Sequence, residues 1–306
     1  MSLAQEWRSV AGMDHHSHHH HADSSDSADS ADSDDDWSAL ADLLDLDGEV
    51  LHAYLAEAIA WVYQMAAGRP VRRILDLGCG TGNGALALAG CFGDAEVIAV
   101  DESGDLLTRL RAKARERGLD GRVQTVQADL DQAWPALGPV DLTWTSMALH
   151  HLADPDRALR EIFAATRPGG LLAVAESTGP QRFLPDDIGL GRPGLEARAQ
   201  AAVAEHHSGT MPYLGADWGP LVARAGFRGV QERAFGIELS APLPAAAGRF
   251  AQANLRRVRT HLDGALAADD LATLDALIAD DGPGSVVRRQ DLAIRGTRTL
   301  WTATRP

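Results

Sequence analysis

Asp76 stands in Ile74-Leu75-Asp76-Leu77, at the end of a short apolar run that begins at Val71, and Gly78, Gly80 and Gly82 follow at alternate positions. An acid at the tip of a buried strand is costly unless it is hydrated or meets a donor. The alternating glycines remove side chains where the backbone turns sharply and must lie against a ligand. A ligand carrying an amine would satisfy the acid. Gly80-x-Gly82-x-x-Ala85 also fits the G-x-G-x-x-G/A pattern that seats a pyrophosphate on a helix N-terminus. An anion is poorly served by Asp76 at that position, whereas an amine-bearing zwitterion is well served.

Further acids recur at the ends of the apolar runs that follow. Ala95 to Asp101 reads as a second strand, and Asp101 at its tip, with Glu102 beside it, can accept hydrogen bonds from both hydroxyls of a ribose. Ser103 caps the next helix. Arg122 to Gln127 is a third strand, followed by Ala128-Asp129-Leu130; Val140 to Thr145 is a fourth, leading into Ser146 and then Leu149-His150-His151-Leu152. Asp154-Pro155 starts a helix that Arg167-Pro168-Gly169-Gly170 stops, and Leu171 to Ala175 is a fifth strand ending in Glu176.

Asp76 with its glycines, Asp101, Asp129 and the Pro168-Gly169-Gly170 turn, in that order over residues 71–176, resemble the class I S-adenosylmethionine-dependent methyltransferases, of the small-molecule, type 11/25-like kind. The resemblance implies an α/β fold with a doubly wound, seven-stranded, mostly parallel Rossmann-like sheet and an antiparallel last strand. It implies S-adenosylmethionine as cofactor and S-adenosylhomocysteine as product. On it, Asp76 holds the methionine amine, the glycine backbone packs beside the sulfonium, and Asp101 and Glu102 meet the ribose. Ala128, Asp129 and Leu130 approach the adenine, and Ser146 lies beside the cofactor. The implied reaction is in-line displacement at the sulfonium methyl by an O, N, S or C atom of a small molecule. Alignment alone can supply much of the rate. His150 or His151 could remove a proton from the acceptor, since an imidazole titrates near neutral pH. The Leu-His-His-Leu run also recurs in relatives with unrelated substrates, which favours loop anchoring. Glu176 sits where open α/β sheets bind ligands. No Asn-Pro-Pro-Tyr-like segment follows the fourth strand and no paired cysteines are available, which speaks against nucleobase, protein-amide or arsenite methylation.

Two helical patterns precede this core, one with Leu40, Leu43 and Leu44, the other with Val50, Leu51, Tyr54, Ile59 and Val62. Residues 37–68 resemble the N-terminal lid helices of such enzymes, and 69–306 is the methyltransferase domain. Within it, 178–226 is expected to shape the substrate pocket, with Tyr54, His206, His207, Tyr213 and Trp218 as candidate contacts. Residues 243–283 form a helical insertion before the last strand that suits a second lid or a homodimer contact.

Residues 1–36 are expected to be a disordered tail, because almost no apolar residue is present to repay ordering. Eight aspartates lie between 14 and 36 with no basic residue, so removing that stretch takes the net charge from −15 to −7. His15, His16, His18, His19, His20 and His21 could hold nickel, zinc or copper there, while no catalytic metal is expected. The charge argues against a nucleic-acid partner. Only Cys79 and Cys91 are present, no run of apolar residues is long enough to span a membrane, and no signal-peptide pattern is seen, which together point to a cytoplasmic location. Two other classes stay open on these residues: a dinucleotide-dependent oxidoreductase, and a non-catalytic metal-binding protein on a methyltransferase-like body.

Overall fold

Strand residues of period two divide this chain into two packed faces of one sheet. The computed structural model describes the backbone of residues 28–306 and the side chains of 37–306. Strands β1 (Arg73–Leu77), β2 (Glu96–Asp101), β3 (Val123–Gln127), β4 (Val140–Ser146), β5 (Thr166–Ser177), β6 (Arg228–Leu239) and β7 (Ile294–Thr304) form a single sheet of order β3-β2-β1-β4-β5-β7-β6. Strands β1 to β5 pair in parallel, and β7 inserts antiparallel between β5 and β6. The sheet is therefore the doubly wound, mostly parallel one expected.

Ile74, Val97, Leu142, Trp144 and Ala173 pack on one face, and Leu75, Leu77, Ile98, Val100 and Leu172 on the other. Each fully buried leucine or isoleucine contributes about 1.5–3 kcal/mol, so this alternation fixes the strand register. The first face is covered by helices α1 (Ala28–Val50), α2 (His52–Met65) and α3 (Asn83–Cys91), and by the later α6 (Leu195–Thr210), α8 (Ala247–Thr260) and α9 (Ala268–Ile278). The second carries α5 (Pro155–Ala165) and α7 (Trp218–Arg224), while α4 (Gly104–Glu116) follows β2. Asp154 caps α5 by accepting the Arg157 N–H at 2.8 Å, with Pro155 in its first turn.

Two boundaries differ from expectation. Helix α1 begins at Ala28 rather than at Trp37, so residues 28–36 of the expected disordered tail are helical backbone. A helix anchored by burial of Leu40, Ala41 and Leu43 extends upstream without a new nucleation step. The Arg167-Pro168-Gly169-Gly170 tract is not a separate turn but a bulged entry to β5. Val140 pairs with Thr166 and Leu142 with Leu171, and Gly169 takes a φ of +78°. The six clustered histidines between His15 and His21 lie outside the described residues.

Candidate functional site

The carboxyl ends of β1, β2, β4 and β5 open into a cavity of about 790 Å³ on the face covered by α1, α6 and α8. Asp76, Gly78, Gly80, Asp101, Ser146, His150 and His151 line it, as do Tyr54 of α2 and His207 of α6. Strand ends that converge beside one another are where α/β sheets bind ligands, because backbone N–H groups and acids meet there.

Gly78 and Gly80 have φ of +65° and +53°, and a side chain would be blocked as well as strained: a Cβ on Gly78 would lie 2.3 Å from the Ala148 Cβ, and one on Gly80 2.9 Å from the Leu44 Cδ1. The loop is closed from below by Asp101, whose Oδ2 accepts the Gly80 N–H at 2.8 Å and whose Oδ1 accepts the Ser103 N–H at 3.0 Å. Burial raises the Asp101 pKa, while these N–H groups and that of Glu102 draw it down. Asp76 is more exceptional. It is 2% exposed, and its Oδ2 has no hydrogen-bond partner. Burial, then repulsion from Asp101, push its pKa up to about 7 against the Ala85 N–H. Such an acid ionises more readily when a cation lies beside it.

Beyond the acids, Met147 turns the chain at φ +56°, an uncommon conformation for a side-chain-bearing residue, and lines the cavity. The following 3₁₀ turn, Leu149–His151, buries His150, whose Nδ1 lies 2.6 Å from Glu176 Oε2. Glu176 Oε1 accepts the Leu149 N–H at 3.1 Å, so both carboxylate oxygens are held and the imidazole is oriented by the acid. The His150 and His151 rings lie 4.0 Å apart.

Helix α1 covers the opening. Leu40, Leu43, Leu44, Asp47 and Gly48 line the cavity from above. Asp45 accepts from Arg109 and Lys113 of α4, both at 2.6 Å, and Asp42 pairs with Arg109 at 2.7 Å. Asn83 donates to the Leu44 carbonyl at 2.7 Å. Asp47 holds Arg298 of β7, which lies over the Tyr54 ring at 5.1 Å. Burial works against the charge of Arg298, but Asp47 and Tyr54 outweigh it and push its pKa up.

The remaining candidates are placed differently. Glu102, Ala128, Asp129, Leu130 and Gly82 lie outside the lining of the cavity. Asp129 closes a turn, accepting the Asp131 N–H at 2.8 Å. Trp218 is fully buried on the other face of the sheet with Leu221, Val222 and Phe227, since the face periodicity of this region runs opposite to the cavity. Tyr213 lines a separate cavity of about 120 Å³ with His150, His151 and Met211. His206 lies outside the main lining, but its ring is 5.8 Å from that of His207 and 5.1 Å from that of His261, and His207 and His261 both line the cavity. Residues that sequence reasoning missed here are Trp144, Met147, His261 and Arg298. Among the described residues no group of three or more His, Cys, Asp or Glu is placed to hold a metal ion, and no helix is long and apolar enough to cross a membrane.

A methyltransferase-domain family model matches residues 74–170. The ubiquinone/menaquinone biosynthesis C-methyltransferase UbiE of Vibrio campbellii is 35% identical over 116 residues, which are 38% of this chain and 45% of that protein. The chain thus spans less than half the length of this curated relative. Among solved structures, YcgJ of Bacillus subtilis is similar with a TM-score of 0.50 and 18% identity, covering 81% of this chain and 98% of that one. A putative methyltransferase of Bacillus halodurans C-125 is similar with a TM-score of 0.52 and 20% identity, over the same shares of the two chains. At these identities the two structures speak for the fold.

Proposed function

We propose that this chain, whose residues 74–170 match a methyltransferase-domain family model, is a class I S-adenosylmethionine-dependent methyltransferase that transfers a methyl group to a small-molecule acceptor held in the cavity under α1, α6 and α8. The observation that carries the reading is the buried Asp76 at the end of β1, which lines the cavity beside Asp101 and whose Oδ2 has no partner. The residues fit the cofactor: Asp76 meets an ammonium, Asp101 keeps lone pairs for ribose hydroxyls, and the glycine backbone leaves room between them. When bound, S-adenosylmethionine supplies an electrophilic methyl on a sulfonium.

The acceptor end of the cavity is mainly apolar. Phe183, Leu184, Leu195, Val203, Phe250 and Leu255 line it, together with the polar Gln181, Gln200, His207, Asn254, Arg257 and His261. Such walls suit an acceptor with an apolar body and one reacting polar or acidic carbon centre. The C-methyltransferase activity in the name of the Vibrio relative supports including carbon among the acceptor atoms. With Glu176 beside its Nδ1, His150 keeps Nε2 as the atom able to take the acceptor's proton, and Glu176 stabilises the imidazolium that forms. The remainder of the work is orientation and exclusion of water under α1.

Labelled methyl transfer from S-adenosylmethionine to a panel of apolar phenols, enols and quinols tests this. A labelled product is expected for at least one acceptor. His150→Ala should lower kcat by about a hundredfold or more while leaving S-adenosylhomocysteine affinity unchanged. A His150→Ala enzyme as fast as the parent contradicts the base assignment. Failure of every acceptor to become labelled contradicts the acceptor class.

A further inference from the structure

The far wall of the cavity is not apolar along its whole length. On α6, Ala199, Val203 and His207 follow one another at helical spacing along the cavity, and on α8 Asn254, Arg257, Val258 and His261 do the same. Both stripes end in basic side chains. His207 is in the last turn of α6, Arg257 in the last turn of α8, and His261 stands just past that helix. The two ends meet, with the rings of His207 and His261 5.2 Å apart and nearly perpendicular.

Basic residues in a last turn favour the helix dipole, which explains their place along the axis but not the side of the helix they occupy. Arg256 and Arg259, on either side of Arg257, lie outside the cavity lining and pair with surface acids, Arg256 with Asp280 at 2.6 Å and Arg259 with Asp263 and Asp275 at 2.7 Å. Arg257 alone of the three lines the cavity, and it is half-buried there. The other charged side chains of the lining away from β1 and β2 are engaged within the protein. Asp47 pairs with Arg298, and Glu196 accepts the Phe183 N–H at 2.7 Å and the Leu184 N–H at 3.2 Å. The Nε2 atoms of His207 and His261 are enclosed, so the charge turned toward a ligand on this wall is the guanidinium.

We infer that the acceptor carries a carboxylate on its apolar body and that Arg257 binds it, which makes α8 the element that selects among acceptors. A guanidinium matches a carboxylate through two parallel N–H donors, and beside apolar walls such a pair is stronger than in water. With one guanidinium on this wall among the described residues, a monoanion fits better than a doubly charged phosphate. The inference rests on the methyl-transfer reading above and adds to it the class of acceptor.

The test is calorimetric, on the full chain saturated with S-adenosylhomocysteine. Its probes are a hydroxybiphenylcarboxylate, the matching methyl ester and the matching carboxamide, at a pH where the acid is ionised. The parent is expected to bind the acid about tenfold to a hundredfold more tightly than the ester or the amide, as for a hydrogen bond between charged groups. Arg257→Gln should abolish that preference without weakening the ester, and Arg257→Lys, which keeps the charge but loses the fork, should retain part of it. Arg256→Gln removes the same charge one position away, outside the cavity, and should leave the preference as in the parent. A parent that does not prefer the acid overturns the inference, as does a preference that survives Arg257→Gln or is lost equally in Arg256→Gln. Should Arg257→Gln fail to fold, Arg257→Met, which keeps the packing of the aliphatic stem, is read in its place with the same two outcomes. A chain that takes up no S-adenosylhomocysteine removes the methyl-transfer reading, and the carboxylate site is then judged by the same comparison without that ligand.

Discussion

Asp76 is destabilising to the empty protein in the form that a cationic ligand needs. Its carboxyl exchanges its proton at about 7 in the folded chain, against 3.8 for an ordinary aspartate. Folding therefore favours the protonated acid, and the stability this provides is complete below the ordinary value and is lost as pH rises through about 7. Asp76→Asn, which cannot ionise, should raise the Tm of the unliganded protein, with a gain that grows between pH 4 and 7 and then levels off. The same variant should bind S-adenosylmethionine at least tenfold more weakly, and the parent's affinity should fall as the solution is acidified below about 7. Thermal melts across pH, with and without ligand, check both signs. A variant that melts below the parent at neutral pH would contradict the burial argument.

At the scale of elements, α1 is a cover held by charge. Asp42 and Asp45 meet Arg109 and Lys113 of α4, and Asp47 meets Arg298 of β7. Burial opposes the ionisation of Asp45, but Lys113 and Arg109 outweigh it and hold its pKa below the ordinary value. Partly exposed pairs contribute about 0.2–1 kcal/mol each and weaken with salt. Asp45→Asn should therefore speed S-adenosylhomocysteine release about two- to tenfold and blunt the dependence of that rate on ionic strength. A stopped-flow release rate that is the same in the variant and the parent, at low and high salt, would show that α1 does not gate the site. Asp47→Asn should act differently, since it leaves the largely buried Arg298 unpaired at a cost of about 3 kcal/mol, read as a lower Tm.

These elements were legible in the sequence to unequal degrees. Strands β1 to β5 announce themselves as short apolar runs, and Asp76 and Asp101 stand out because an acid at the end of such a run breaks its pattern. Trp144 breaks no pattern: in an apolar strand a tryptophan reads as core, and only the register beside Asp76 reveals its unmade N–H. Arg298 could not be located because its partner lies 251 positions earlier in the chain. Trp218 drew notice as an aromatic ahead of a helix, but which face of the sheet that helix covers depends on the return path to β6, and no periodicity within the segment carries that information. The start of α1 was missed because residues 28–36 have no apolar face of their own and take their helical form from the part that is anchored downstream.

For the molecule as a whole, three distant stretches build one chamber. One side is lined from Leu40 to Leu55 of α1 and α2, the floor by Asp76 and Asp101 at the ends of β1 and β2, and the far wall by α6 and α8, which lie in the segments expected to be insertions. The matched family region ends at residue 170, so the acceptor walls lie almost entirely beyond it. On the function proposed, the cofactor end of the cavity therefore lies in the matched region, and the acceptor end in helices outside it. The most direct measurement is a calorimetric titration of the full chain with S-adenosylhomocysteine, run beside NAD and repeated on Asp101→Ala. Saturable binding of S-adenosylhomocysteine, severe weakening in the variant and no heat with NAD are expected. Binding of NAD in place of S-adenosylhomocysteine, or an affinity untouched by Asp101→Ala, would contradict the assignment of this site.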